Sequence, residues 1–351
     1  MKKLSSCKWK AFYIEEVAEI DSGRDIYDQE RVDGTTPYVT ATATNNGIGY
    51  FVGNTNHSLE EGCISVNRNG SVGYAFYHPY KALFGNDTRK LRLFNKSKYV
   101  ALFIVRAILA QKDKYEYGYK LGTGRLKRQK IMLPMTPSQN PDYAFMDQYM
   151  RAQERKLLVQ YKSRIDKLLK VDVLTGGGYK LQDRRWGDFS VTKIFRIESG
   201  KRLESNRMKL GCRPFIGAAD SRNGVTNFVS NVNESLDKNV LGVNYNGNGM
   251  VISFHHPYEC IFSDDVKRFH LKDAADDKYV HLFLKEMLLC QKKKFCYGYK
   301  FNASRMARQK IMLPVRRDGK PDYEFMRDYM KQCERRRLIA YRDRIEELLS
   351  A

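Results

Sequence analysis

Basic and aromatic side chains crowd into one short stretch of this sequence, and the same crowding returns later in the chain. Lys120, Arg125, Lys127, Arg128 and Lys130 gather beside Tyr117 and Tyr119; Lys300, Arg305, Arg308 and Lys310 gather beside Tyr297 and Tyr299. Such cations neutralise phosphates, and Arg, Asn and Gln also read base edges in a major groove. Two further pairs of segments are amide-rich. "TNNGI" and "SRNGV" set Asn45 and Asn46 against Arg222 and Asn223, while "VNRNG" and "VNYNG" set Arg68 and Asn69 against Tyr245 and Asn246. Asn-Gly also makes a hairpin turn with no ligand involved, and a basic patch can serve only to solvate a surface. At the level of these motifs both readings stay open.

Catalytic chemistry has weaker support. Asp142 followed by Glu154-Arg155-Lys156 imitates the P-D…E-x-K pattern of metal-dependent nucleases. Those carboxylates must converge on one ion, whereas here they stand on one helix, roughly 18 Å apart. The second copy, Glu334-Arg335-Arg336, lacks the lysine. "NPDY" at Asn140 to Tyr143 is similar to the N-P-P-Y that holds an amino group for methylation. Asp142 displaces its second proline, and the other copy reads "KPDY", with Lys320 for the Asn. Pro141 and Pro321 read instead as loop ends, each followed by an Asp that caps a helix. Of the histidines (His57, His78, His255, His256, His270, His281), none has metal-ligand spacing, and His78 and His256 precede a repeated "PY" as turn-bonding groups. The expectation is a protein with no catalytic constellation and no metal.

The elements behind these residues come from a duplication. Lys8 to Gly23 matches Arg185 to Gly200, pairing Trp9 with Trp186; "YGYK", "RQKIMLP" and "PDY" recur in the same order, the last two as Arg128–Pro134 against Arg308–Pro314 and "PDYAFMDQYM" against "PDYEFMRDYM". Internal repeats of this kind define architecture. In each unit, short runs of alternating polarity predict strands, and Tyr99 to about Tyr115, with Tyr279 to about Phe295, predicts one buried helix. After "PD" the apolar spacing changes to steps of three and four: Phe145/Met146, Tyr149/Met150, Leu157/Leu158, Tyr161, Ile165 and Leu168/Leu169. That predicts a helix of about 42 Å, with a twin from Phe325. Two such stripes can bury themselves on each other as an antiparallel or coiled-coil pair. "RQKIMLP" then reads as a hinge, its basic half beside phosphate and "IMLP" joining module to helix. Gly176, Gly177 and Gly178 mark the connection between units.

Composition narrows the partners. Against 40 acidic residues stand 62 Lys and Arg, a formal charge of +22, which favours nucleic acid or another polyanion. The seven cysteines form no C-x-x-C pair and imply free thiols in a reducing compartment. "MKKLSSCKWKAFYIEEV" lacks the apolar core of a signal peptide, and "YVALFIVRAILA" is too short to span a bilayer. These features predict a soluble, cytoplasmic protein with no membrane partner.

Each unit closes on I-x-L-P, Ile131-Met132-Leu133-Pro134 and Ile311-Met312-Leu313-Pro314, leading into a long helix. In this layout, over nearly its whole length, the chain resembles the DNA specificity (S) subunits of type I restriction–modification systems. In that family a proline-rich segment ending in "EQ" commonly follows at once; here "MTPSQNPDYAFM" and "VRRDGKPDYEFM" intervene. This departure looks like the type IIB branch, whose cleavage and methylation activities share one polypeptide, so both kinds of system stay open. The resemblance implies an α+β fold with two mixed target-recognition domains, 1–142 and 187–322. Spacer helices 143–172 and 323–351 would follow them, with a linker at 173–186. It implies a non-catalytic reader of double-stranded DNA, one half-site per domain. Its partners would be methyltransferase subunits, with a restriction subunit or a fused restriction–modification polypeptide. S-adenosylmethionine, Mg²⁺ and, in some systems, ATP would belong to those partners. Reading an asymmetric site needs shared phosphate contacts and different base contacts. Lys120/Lys300, Arg125/Arg305, Arg128/Arg308 and Lys130/Lys310 are therefore the phosphate or scaffold candidates. Asn45/Arg222, Arg68/Tyr245 and Lys127 (Ala307 in the second copy) are the base-reading candidates, with Asn46, Asn69, Asn223 and Asn246 beside them.

Overall fold

Alternation within "KIMLP" decides how each unit is closed. Ile131 and Leu133 are fully buried while Met132 is 47% exposed, as a strand with one face on the core requires. In the computed structural model, which describes residues 3–115, 120–171, 178–246, 250–295 and 298–350, this segment is a strand. Tyr117, Tyr119, Tyr297, Gly176, Gly177, Gly247 and Cys296 lie outside the described residues.

The chain forms two compact units, Met1–Tyr161 and Lys162–Ala351. The first contains β1 (Trp9–Tyr13), β2 (Ala18–Ser22), β3 (Asp33–Val39), β4 (Ile48–Val52), β5 (Cys63–Asn67), β6 (Ala75–His78), β7 (Leu83–Phe84), β8 (Thr88–Leu93), α1 (Lys98–Leu109), α2 (Thr123–Lys127) and β9 (Lys130–Pro134). A long helix, α3 (Tyr143–Val171), follows. The second contains β10 (Trp186–Ser190), α4 (Val191–Ile194), β11 (Phe195–Ser199), β12 (Leu210–Ile216), β13 (Val225–Val229), β14 (Val240–Asn244), β15 (Ser253–His256), β16 (Ile261–Phe262), β17 (Val266–Leu271), α5 (Lys278–Leu289), α6 (Ala303–Arg308), β18 (Lys310–Pro314) and α7 (Tyr323–Ser350). Helices and antiparallel-dominated sheets in each unit make the fold α+β.

Both units use one topology. A four-stranded sheet runs β2-β8-β5-β6 in the first and β11-β17-β14-β15 in the second; a three-stranded sheet runs β4-β3-β7 and β13-β12-β16. Helix α1 lays Val100, Phe103, Ile104 and Ile108 onto a core with Ile64, Leu91, Leu126 and Ile131. Each such side chain contributes about 1.5–3 kcal/mol by leaving water. The helix stops at Leu109, short of the predicted Tyr115, and a 3-10 turn over Lys112–Lys114 follows. Its twin likewise stops at Leu289, before a turn over Lys292–Lys294. The charged "QKDK" and "QKKK" segments offer no apolar stripe to hold a further α-turn.

The repeated "RQKIMLP" is a clamp and not a hinge. Strand β9 pairs antiparallel with β1, Phe12 opposite Ile131, and β18 repeats this with β10, Phe189 opposite Ile311. The Asp142 amide donates to the Pro134 carbonyl at 2.8 Å, and the Asp142 carboxylate accepts from the Phe145 amide at 3.0 Å. Asp322 does the same with Pro314 and Phe325. Strand end and helix cap thus share one residue, which leaves little freedom to bend.

Within the second unit, Lys162 Nζ lies 3.1 Å from Glu346, and the Arg335 guanidinium donates to the Leu169 carbonyl at 2.8 Å. The earlier residue of α3 meets the later residue of α7, so these segments run antiparallel. Coverage of the apolar stripes is incomplete: Leu157 and Tyr161 stay exposed in the first unit, as do Leu168, Tyr341 and Leu348 in the second. Charged residues crowd these helices.

Candidate nucleic-acid interface

Three loops of the first unit are tied into one surface. In the first, Asn45, Asn46 and Gly47 all have left-handed backbones, with φ of 50, 55 and 76°. The Thr40 amide donates to Gly47 O at 2.8 Å and closes the turn. Asn46 points inward: its amide donates to Tyr80 Oη at 2.8 Å, and Tyr80 meets His78. Asn45 is exposed. The second loop joins β5 to β6 through residues 68–74, wider than the two-residue Asn69-Gly70 hairpin that the sequence suggests. Gly70 and Gly73 take the left-handed conformation and Asn69 does not. Neighbours impose this shape, because the Ser71 amide donates to Ala41 O and a Cβ on Gly70 would meet that oxygen at 2.9 Å.

Asp87 organises the second loop, with Arg68 at 3.5 Å and the Asn69 amide at 3.3 Å. The third loop begins at Lys120. Leu121 N donates to Arg68 O at 3.2 Å, and Arg89 Nε donates to Thr123 Oγ1 at 2.6 Å. Arg125 donates to the Lys120 carbonyl at 2.6 Å, bracing its own loop, while Lys127 and Arg128 are exposed on α2 and just beyond it. Lys130 lies over the Tyr13 ring at 4.9 Å.

The second unit repeats the scaffold with different side chains. Arg222, Asn223 and Gly224 have φ of 50, 55 and 73°. Asn223 donates to Tyr258 Oη at 2.9 Å, and Asn246 to Asp265 at 2.9 Å. Tyr245 carries Lys267 over its ring at 4.6 Å, where the first unit has Arg68. Arg305 donates to Lys300 O at 2.8 Å and stacks on Tyr299. Lys310 pairs with Asp188, Ala307 is half-buried, and Arg308 is exposed. Among the described residues, no hydrogen bond or ion pair engages the Arg222 guanidinium.

The groups weighed for catalysis have structural duties. Glu154 binds Lys98 at 2.8 Å and Tyr99 Oη at 2.7 Å; Glu334 binds Lys278 and Tyr279 at 2.7 Å each. Burial works to raise the Glu154 carboxyl pKa, but the hydrogen bonds from Lys98 and Tyr99 bring it below the usual value. His78 and His256 are buried, which lowers them to about 4 and about 3 and leaves both neutral at pH 7. Among the described residues, no group of three or more His, Cys, Asp or Glu is placed to hold a metal ion. No helix among them is long and apolar enough to cross a membrane.

Two constellations escaped the sequence reading. One joins Arg31, Asp28 and Tyr50 in the first unit. The other joins Asp237, Arg268, His270 and Asp276 in the second. The visible signal of the first is that "DIYDQER" and "RLESNRM" diverge inside an otherwise matched repeat.

A rigid duplicated scaffold with basic loops matches the model of the type I restriction modification DNA specificity domain twice, over residues 7–160 and 183–340. The chain belongs to that family. It is a specificity subunit of a restriction–modification system with two recognition domains, a non-catalytic part in DNA recognition. Among curated proteins it is similar to the specificity subunit S.BcgI of a type II restriction enzyme from Heyndrickxia coagulans. The two are 38% identical over 338 residues, covering 93% of this chain and 95% of that one. Among solved structures it is similar to the type I restriction–modification S subunit of M. genitalium. That TM-score is 0.50 at 16% identity, covering 100% of this chain and 94% of that one, a likeness of fold.

Proposed function

We propose that the chain reads a split duplex target, one half-site per domain through the major groove, and directs methyltransferase partners to it. The observation that carries this reading is a backbone turn repeated at φ of 50, 55 and near 75° with Asn45 in one copy and Arg222 in the other. One presentation device displays different hydrogen-bonding side chains, as an asymmetric site requires. Arg68 against Tyr245 and Lys127 against Ala307 extend the contrast. Asn46, Asn69, Asn223 and Asn246 act beside them chiefly as props, since each amide is already engaged. Lys120, Arg128, Lys130, Lys300, Arg308 and Lys310 supply phosphate contacts; Arg125 and Arg305 hold their loops.

Helices α3 and α7, of 29 and 28 residues, act as the ruler between half-sites. Their length of about 42 Å corresponds to about a dozen base pairs at roughly 3.4 Å each. Exposed Leu157, Tyr161, Leu168 and Tyr341 offer a surface for the modification subunit. Such partners, separate or fused with a nuclease, carry S-adenosylmethionine, Mg²⁺ and, in some systems, ATP. The test is methylome sequencing of the host with and without this gene. Loss of one split methylated motif is the expected result; an unchanged methylome overturns the proposal.

A further inference from the structure

Beside the loops of the first unit lies a cavity of about 740 Å³, whose walls include Asp28, Arg31, Tyr38, Thr42 and Asp87. One of these walls, Asp87, belongs to the candidate interface already described, and Thr42 is tied to the same loops. Asp87 orients Arg68 and Asn69, and the Thr42 carbonyl accepts from Asn67. Within the cavity, the Arg31 guanidinium carbon stands 3.7 Å from the centre of the Tyr50 ring, and one terminal nitrogen is 2.6 Å from Asp28. Stacking fixes the plane of the fork and the carboxylate fixes its rotation, so little freedom is left to lose on binding. Of five guanidinium N–H donors, Nε is buried without a partner among the described residues and one on Nη1 meets Asp28, so the two parallel donors left for a ligand are the second on Nη1 and one on Nη2.

The backbone that carries Arg31 is held on both sides and is common to the two units. Val32 N donates to Asn54 Oδ1 at 2.9 Å and Gly53 N to Val32 O at 2.7 Å; Lys209, Asn231 and Ser230 repeat both bonds at 2.8 Å. On this shared frame the whole constellation changes together. Arg31, Tyr50 and Asp28 become Met208, Asn227 and Ser205 in the repeat. A stacked, buttressed guanidinium in one copy is thus replaced by an apolar side chain with neither platform nor buttress. A surface stabilised for its own sake gives no reason for three linked exchanges on an unchanged backbone.

We infer that Arg31, held by Tyr50 and Asp28, is a specificity-determining residue of the first domain, taking a guanine through its O6 and N7 edge. Arginine presents two parallel donors to those two acceptors, the commonest specific contact in a major groove. Met208 offers the second half-site only apolar contact. The inference rests on the proposed reading of a split duplex target.

The test is selection of bound duplexes from a randomised library by the full chain, for wild type, Arg31→Met and Arg31→Lys, with thermal melting of each. Wild type is expected to select a split motif; if it selects none, the proposed function fails, whatever the variants do. Given a motif, Arg31→Met is expected to lose a guanine preference of roughly tenfold or more at one position of one half-site, with the other half-site unchanged. Arg31→Lys keeps the charge without the fork and is expected to lose most of the same preference. Retention of every guanine by Arg31→Met, or equal weakening at all positions, overturns the inference. If Arg31→Met melts early, a folded Arg31→Lys with the wild-type motif overturns it equally.

Discussion

The Asp276 carboxylate stands 2.7 Å from Nδ1 of His270. Nε2 of the same ring is 2.9 Å from Asp237, so a ring placed between two carboxylates must donate from both nitrogens and carry a positive charge. Hydrogen bonds to Asp237 and then Asp276 outweigh burial and raise His270 from 6.5 to about 9. A raised folded-state value stabilises fully below pH 6.5, and the contribution falls as pH climbs through about 9. The stability of the second unit is therefore expected to fall across that window by on the order of 1–3 kcal/mol, read as a falling melting temperature. In the first unit Arg92 occupies this place, paired with Glu60 and Asp21, and does not titrate there. His270→Arg should flatten the profile; an unchanged slope would sink the assignment.

Arg222 occupies a left-handed backbone at φ 50°, where a side chain of its kind costs about 1 kcal/mol and Asn is better tolerated. Arg222→Asn copies the first unit's loop and should raise stability by about 0.5–1 kcal/mol while changing one half of the selected motif. Calorimetry with duplex selection checks both. Gained stability with an unaltered motif would remove Arg222 from the reading surface.

Arg128 is exposed beyond α2, and Arg128→Ala should weaken every duplex alike and reduce the salt slope by about one. Binding titrated over a range of salt measures this. A changed sequence preference would make it a base contact instead. Arg125→Ala is expected to do more, because the Lys120 loop loses its brace.

Asp142→Ala removes the carboxylate that caps α3 and should cost about 1 kcal/mol, with Asp322→Ala doing the same for α7. Denaturant melts give the difference. Equal stability in all three proteins would falsify the clamp at the strand–helix joint.

Duplication, the strand-rich modules, the long helices and their Asp caps were all legible in the order of residues. Each depends on local periodicity or on similarity at a distance along the chain, and both are written in one dimension. Helix ends were misjudged by carrying each helix past its apolar stripe, which stops before "QKDK". The Asn69 turn was misjudged too, because its shape is imposed by Ala41, far away in sequence. Of the candidate asparagines, four proved to be engaged by Tyr80, Tyr258, Asp87 and Asp265. Type and spacing cannot distinguish a reading amide from a propping one. The composition and repeats of this chain were enough to specify what kind of molecule it is. Which side chains are held and which stay exposed was decided by folding, as with Arg31 on Tyr50, since a hydrogen bond or a stacked ring needs two residues brought together from separate places.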